Sequence, residues 1–219
     1  MHVVAVDGPA GSGKSSVSRA AAISLGFGYL DTGAAYRALT LASLNKEIDP
    51  NQLDAGTIDQ SFDYEISIDP INYWVRAFGK DVTEEIRSEK VASNVSEVAK
   101  LPQVRQYMRN LTRKIVEKCD FPGIIVEGRD ITTVVFPDAK TRVLLTATEE
   151  VRLLRREKEL PPGSQVAEVV TERDKNDAKV VDFLTPAEGV ILIDSSNLTF
   201  DETVDSLVKI IQETEVSNG

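Results

Sequence analysis

Five short apolar runs, residues 3–6, 27–30, 124–126, 142–145 and 190–193, are each long enough for a strand and too short to cross a membrane. Helical patterns separate most of them. Val17, Ala20, Ala21 and Leu25 recur near helical spacing over 15–25, and Gly26 stands where a helix end favours a residue tolerant of positive φ. Over 81–98, Ile86, Val91, Val95 and Val98 form an apolar stripe, opened by Asp81 and Glu84 at capping-box spacing. Beyond Pro102 the pattern repeats in Val104, Met108, Leu111 and Ile115, which reads as core packing. A last helix is predicted over 202–212 from Val204, Leu207, Val208 and Ile211, followed by a frayed tail. Strands alternating with helices predict an α/β fold with a mostly parallel five-stranded sheet, helices on both faces, and ligands at the strand C-terminal ends.

One stretch breaks that rhythm. Residues 62–68 alternate apolar and polar with period two, 69–72 supply a turn, and 73–78 return as a β-rich run. This predicts a small antiparallel β insertion at about 61–82, with Trp74 and Phe78 on one face packing the lobe. Pro161-Pro162-Gly163 follows the charged run Arg155-Arg156-Glu157-Lys158-Glu159 and predicts a mobile loop within a segment at about 152–177. The rest, about 1–60, 82–150 and 178–219, is expected to form the core of a single domain.

Composition narrows the function. With 219 residues and 42% hydrophobic content the chain can bury a substantial core. A net charge of −10 argues against nucleic acid as a main partner, so an anionic ligand must be held by local positive charge. Lys14, Arg37, Arg105, Arg129, Arg152, Arg155, Arg156 and Arg173 are the candidates. The lone Cys119 excludes a disulfide within the chain and predicts a reducing, cytoplasmic setting; its position at a helix end fits simple packing. The single His2 falls near a terminus expected to be disordered, which removes histidine catalysis. No membrane span is predicted, and nothing specifies an interface, so a monomer is expected.

Gly8-Pro9-Ala10-Gly11-Ser12-Gly13-Lys14-Ser15 is a complete G-x-x-x-x-G-K-[ST] phosphate loop, lying between a predicted strand and a predicted helix as the motif requires. Its glycines allow a concave nest of N–H groups, Lys14 reaches the outer phosphates, and the Ser15 hydroxyl is a ligand for Mg²⁺. The following helix directs its positive end at the same point. Glu127 and Asp31, each at a predicted strand end, are further candidates for holding Mg²⁺ directly or through water. Such loops serve switches, motors, transporters and small-molecule kinases. A GTPase reading fails, because Asn45-Lys46-Glu47-Ile48 lacks the aspartate of N-K-x-D and the only D-x-x-G, at 120–123, precedes its strand.

Three motifs together resemble the bacterial cytidylate kinases, a family of phosphate-loop nucleoside monophosphate kinases. They are Asp7-Gly8-Pro9-Ala10-Gly11-Ser12-Gly13-Lys14-Ser15-Ser16, Leu30-Asp31-Thr32-Gly33-Ala34-Ala35-Tyr36-Arg37, and Glu127-Gly128-Arg129-Asp130-Ile131 with Thr133-Val134-Val135-Phe136-Pro137-Asp138-Ala139. The resemblance runs from the first strand to about Asp177, and the predicted insertion lies where that family has an extra monophosphate-side lobe.

The resemblance implies transfer of the ATP γ-phosphoryl group to CMP or dCMP with Mg²⁺, the loop from Gly8 to Ser16 holding ATP. It implies that Arg37 and Arg129 grip the acceptor phosphate, with Thr32 and Tyr36 lining the same pocket. Ser96, Arg105 and Asp130 would read the cytosine edge, and Arg173 and Asp177 would lie near the acceptor sugar and phosphates. Catalytic charge would come from Lys14, Arg129 and, on a lid that the resemblance assigns to about 152–177, Arg152, Arg155, Arg156 and Arg173. Two departures stand out. The family's D-S-x-R stretch is here Asp177-Ala178-Lys179-Val180, with Lys179 one position early, and Thr132 occupies a position that is commonly glycine. A kinase for another small acceptor such as UMP, and a nucleotide-binding regulatory module without turnover, are the alternatives.

Overall fold

A computed structural model describes residues 1–52, 54–159 and 183–216. The chain divides into two compact units, Met1–Leu30 with Asp120–Gly219, and Asp31–Cys119.

The first unit is built on a five-stranded sheet of β1 (His2–Asp7), β2 (Gly28–Asp31), β6 (Gly123–Gly128), β7 (Thr141–Thr146) and β8 (Ile191–Asp194), in the order β2-β6-β1-β7-β8. β1 pairs in parallel with β6 on one side and β7 on the other, and β7 pairs in parallel with β8. Val4, Ala5, Val6, Ile124, Ile125, Val126 and Val143 have no exposed surface. Burial on both faces is why these strands read as unbroken apolar runs instead of alternating ones. The register sets Asp7 beside Gly128 and Leu144, so the polar ends of the central strands arrive at one edge.

Helix α1 (Lys14–Leu25) follows β1 and stops at Gly26, whose φ of 66° is open to glycine at little cost. Its Ala21 packs at zero exposure on the sheet unit, as does Ile211 of α7 (Phe200–Val216). Thr199 and Glu202 close a reciprocal cap at the start of α7: the Glu202 carboxylate accepts the Thr199 N–H at 2.8 Å, and the Thr199 hydroxyl accepts the Glu202 N–H at 3.2 Å. That cap starts the helix earlier than predicted, and the helix continues four residues beyond 212, to Val216. His2, expected to be disordered, is instead fixed in β1. Its Nε2 meets Thr141 Oγ1 and its Nδ1 meets Glu215 Oε1, each at 2.8 Å.

The second unit comprises α2 (Thr32–Leu44), α3 (Ala55–Ser61), β3 (Tyr64–Ile66), β4 (Val75–Ala77), β5 (Lys80–Asp81), a 3₁₀ turn (Glu85–Arg87), α4 (Glu89–Ala99) and α5 (Pro102–Glu117). β3, β4 and β5 form an antiparallel sheet in that order. Leu39, Ile58, Phe62, Val75, Ile86, Val91, Val104 and Met108 share one core. That shared core accounts for a compact unit running from 31 to 119, with the antiparallel sheet lying within the insertion expected at about 61–82.

Two local expectations change. The helix predicted over 81–98 begins only at Glu89, because the Asp81 carboxylate turns back to accept the Thr83 N–H at 2.9 Å and Ser88 takes an extended ψ of 152°. Trp74 and Phe78 do not act together: the Arg76 guanidinium lies 4.6 Å over the Trp74 ring, while Phe78 packs against Phe62 in the core.

The packing of α7 gives a direct stability test. Ile211→Ala is expected to lower unfolding free energy by about 2–5 kcal/mol, read as a fall in the urea midpoint with an unchanged slope.

Candidate active site

The loop between β1 and α1 turns on Gly13, whose φ of 84° places it in the left-handed region at the head of the helix. The Ser12 N–H closes onto the Pro9 carbonyl at 3.3 Å, and the Ser16 hydroxyl donates to the Gly13 carbonyl at 3.1 Å. Two arginines of α6 (Glu149–Glu159) brace the carbonyls of this loop. Arg152 donates to the Ala10 carbonyl at 2.9 Å and Arg155 to the Ser12 carbonyl at 3.2 Å. Arg155 also donates to both the hydroxyl and the carbonyl of Ser195, at 2.9 and 2.8 Å. Ser195 is itself fully buried and held to the Thr146 carbonyl. These two side chains, expected on a lid, thus contact the carbonyls of the phosphate loop directly.

Lys14 and Ser15, the first residues of α1, converge on Glu127 at the end of β6. The Ser15 hydroxyl donates to Glu127 Oε1 at 2.5 Å, Lys14 Nζ lies 3.9 Å from Oε2, and the Tyr29 hydroxyl donates to Oε1 at 2.9 Å. Glu127 is only 2% exposed, so its charge is matched by donors instead of water. A hydroxyl and a carboxylate beside a phosphate loop suit Mg²⁺, a hard cation that takes one or two protein oxygens and completes its shell with phosphates and water. Asp31, the other candidate for this role, is engaged elsewhere. It caps α2 by accepting the Ala34 N–H at 3.1 Å and pairs with Arg37 at 2.6 Å.

Asp7, the residue that ends the first apolar run, is 2% exposed and accepts three hydrogen bonds. They come from the Ile131 N–H at 2.9 Å, the Thr132 N–H at 2.8 Å and the Thr132 hydroxyl at 2.6 Å. Burial pushes its carboxyl above the usual carboxylate range, against the pull of those donors. The donors belong to a π-helical turn (Ile131–Val135) that begins directly after Arg129 and Asp130. In that turn the Val134 and Val135 N–H groups both close onto the Asp130 carbonyl. Arg129 donates to the Gly8 carbonyl at 3.3 Å, and its guanidinium lies 4.3 Å over the ring of the buried Phe183.

In the second unit, Thr32, Tyr36 and Arg37 occupy the first two turns of α2, Ser96 lies on α4 and Arg105 on α5. Tyr64 lies within electrostatic range of Asp31 and Arg37; burial pushes its phenol well above the usual tyrosine range, and its hydroxyl has no hydrogen-bond partner among the described residues. Arg173 and Asp177, the stretch 178–180 and most of the expected lid lie outside the described residues, as does the side chain of Arg156. Asp7, Tyr29, Phe183 and Ser195 were not anticipated as site residues. Asp7 alone carried a signal, a charge at the end of a run that reads as a fully buried strand.

The family model for cytidylate kinase matches residues 4–213. A cytidylate kinase of Cutibacterium acnes is 42% identical over 217 residues, covering 97% of this chain and 96% of that protein. One from Corynebacterium efficiens is 42% identical over 218 residues, covering 96% and 94%. Among solved structures, a shikimate kinase from Bacteroides thetaiotaomicron superposes with a TM-score of 0.50 at 15% identity, covering 98% of each chain, a likeness of fold alone. With full-length identity at this level and the phosphate loop, Glu127 and the Arg129 turn in place, the chain belongs to the cytidylate kinase family.

Proposed function

We propose that the protein transfers the γ-phosphoryl group of ATP to CMP or dCMP, giving ADP and the corresponding diphosphate. The observation that carries this reading is the convergence of Lys14 and Ser15 on the buried Glu127, in a chain of this family. The acceptor is already an anion, so the reaction needs no general base; positioning and charge neutralisation supply the rate.

The nest of Gly8 to Ser16 binds the donor phosphates, and Lys14 follows the charge that develops as the transferred group leaves. Ser15 and Glu127 would hold Mg²⁺, which when bound screens the phosphate oxygens. Arg37 and Arg129 fork onto the acceptor phosphate, a geometry lysine does not match, with Thr32 and Tyr36 lining that pocket. Asp130 accepts from the cytosine amine, and Ser96 and Arg105 bind the remaining base edge, which discriminates cytosine from uracil. Arg173 and Asp177 contribute on the sugar and phosphate side, and Arg156 and Arg173 add charge. Arg152 and Arg155 act by holding the loop in shape. Among the described residues no helix is long and apolar enough to cross a membrane. With a single cysteine in the chain, we place the enzyme in the cytoplasm, acting as a monomer on free nucleotides.

An ADP-release assay across CMP, dCMP, UMP and AMP tests the reading directly: turnover with CMP and dCMP well above the other two is expected, and none above background with either would overturn it. Lys14→Ala should lower kcat by about 10²–10³-fold while leaving the circular-dichroism melt in place. Asp130→Asn should raise the KM for CMP by about tenfold and leave the KM for ATP within about twofold, as removal of one charged hydrogen bond requires. Phe183→Ala frees the Arg129 guanidinium from its platform and should weaken CMP by about five-fold, measured by calorimetry with ATP binding as the internal control.

A further inference from the structure

We infer that Thr132 is a positioning residue for acceptor binding, acting through Asp7 to fix the turn that presents Arg129 and Asp130. The inference rests on the proposed CMP kinase activity and adds a residue to it. Asp7 closes β1, the middle strand of the five-stranded sheet, and its pairing with β6 and β7 on either side makes it a rigid reference point. Thr132 lies 125 residues further along the chain, in a π-helical turn, a form of backbone that is rarely stable without outside support. Much of that support comes from the Asp7 carboxylate. Asp7 Oδ1 takes the Ile131 N–H at 2.9 Å, while Oδ2 takes both the Thr132 N–H at 2.8 Å and the Thr132 hydroxyl at 2.6 Å.

The hydroxyl bond differs from the other two. A backbone N–H is present whatever residue stands at 132, whereas the third bond exists only for a hydroxyl side chain. It is also the shortest of the three, and both partners are buried, Asp7 at 2% and Thr132 at 3% exposure. With both partners withdrawn from water, loss of the hydroxyl removes a donor to the carboxylate that no solvent molecule replaces. Arg142 reinforces the turn from the other side by donating to the Thr132 carbonyl at 3.3 Å.

Arg129 and Asp130 come immediately before this turn, so looseness at 131–132 moves their backbone directly. The phosphate loop shares one contact with this region, the Arg129 bond to the Gly8 carbonyl, and has two further braces, Arg152 on Ala10 and Arg155 on Ser12, that do not involve Asp7. Loss of the Thr132 hydroxyl should therefore affect the acceptor nucleotide more than the donor nucleotide.

The test compares Thr132→Val, which keeps the β-branch and removes the hydroxyl, with Thr132→Ser, which keeps the hydroxyl, and Thr132→Ala as a smaller second deletion. For each, kcat, both KM values, CMP and ATP affinities by calorimetry, and the melting temperature are measured. Val and Ala are expected to raise the KM and Kd for CMP by about tenfold with ATP affinity within about twofold, and Ser is expected to restore CMP affinity. The inference is overturned if Val and Ala lower only the melting temperature, if CMP and ATP weaken together, or if Ser fails to rescue. Absence of CMP turnover in the unsubstituted enzyme would instead reject the proposed activity, so the two failures are distinguishable. Should Val fail to fold, the Ala and Ser pair carries the same comparison.

Discussion

A carboxylate withdrawn from water must be met by donors, and at the edge of the central sheet two of them, Asp7 and Glu127, dictate what surrounds them. Asp7 ends β1 and Glu127 lies one position before the end of β6, so parallel pairing brings both to the same edge. Glu127 draws in Ser15, Tyr29 and Lys14. Asp7 draws in the turn after Arg129. One acid thus orders the first residues of the helix after the phosphate loop, and the other orders the turn that follows Arg129 and Asp130. Replacing either by an apolar residue of similar size would leave a set of buried donors unmet, which costs more than the loss of one bond.

This arrangement also reconciles an acidic protein with two anionic substrates. A net charge of −10 sets an unfavourable field for nucleotides at long range. Salt screens that field over about 8 Å, while contacts inside a cleft are screened far less. What matters is the local sum around the phosphate loop. There, the Glu127 charge is offset by Lys14, and Arg129, Arg152 and Arg155 all donate to loop-side or neighbouring carbonyls. Arginines bound to carbonyls keep their full charge, so they contribute to the field at the loop while also holding its shape. Charge and scaffold are therefore not separable for these residues.

Much of this was legible in the chain. The five strands, α1 with its Gly26 stop and the apolar face of α5 follow from periodicity and end signals that local chemistry decides. The phosphate loop was legible for the same reason, since nest, lysine and hydroxyl are contiguous. What periodicity could not reveal depends on partners distant in sequence. Phe183 gains a role only because its ring underlies Arg129, and Tyr29 only because Glu127 is in reach. Thr132 stood out as a departure from the family pattern with no evident reason, and Asp7, 125 residues away, supplies one. The helix predicted from 81 failed where a local competitor won: Asp81 bonds the Thr83 amide in a turn, which a capping pattern alone does not distinguish from a helix start.

Within the second unit the same logic appears in Asp31 and Arg37. Asp31 caps α2 through Oδ1 and holds Arg37 through Oδ2, and both side chains are largely shielded, at 6% and 15% exposure. The fork of a guanidinium carries five N–H donors, and one of its nitrogens is directed at the Asp31 carboxylate. Asp31 therefore helps to fix the direction of Arg37. A shielded ion pair of this kind adds little to stability, because desolvation offsets the attraction. Its contribution lies in pre-organisation: a side chain with several rotatable bonds is held in one place, so that in the acceptor role proposed for Arg37 less entropy would be lost on binding an anion.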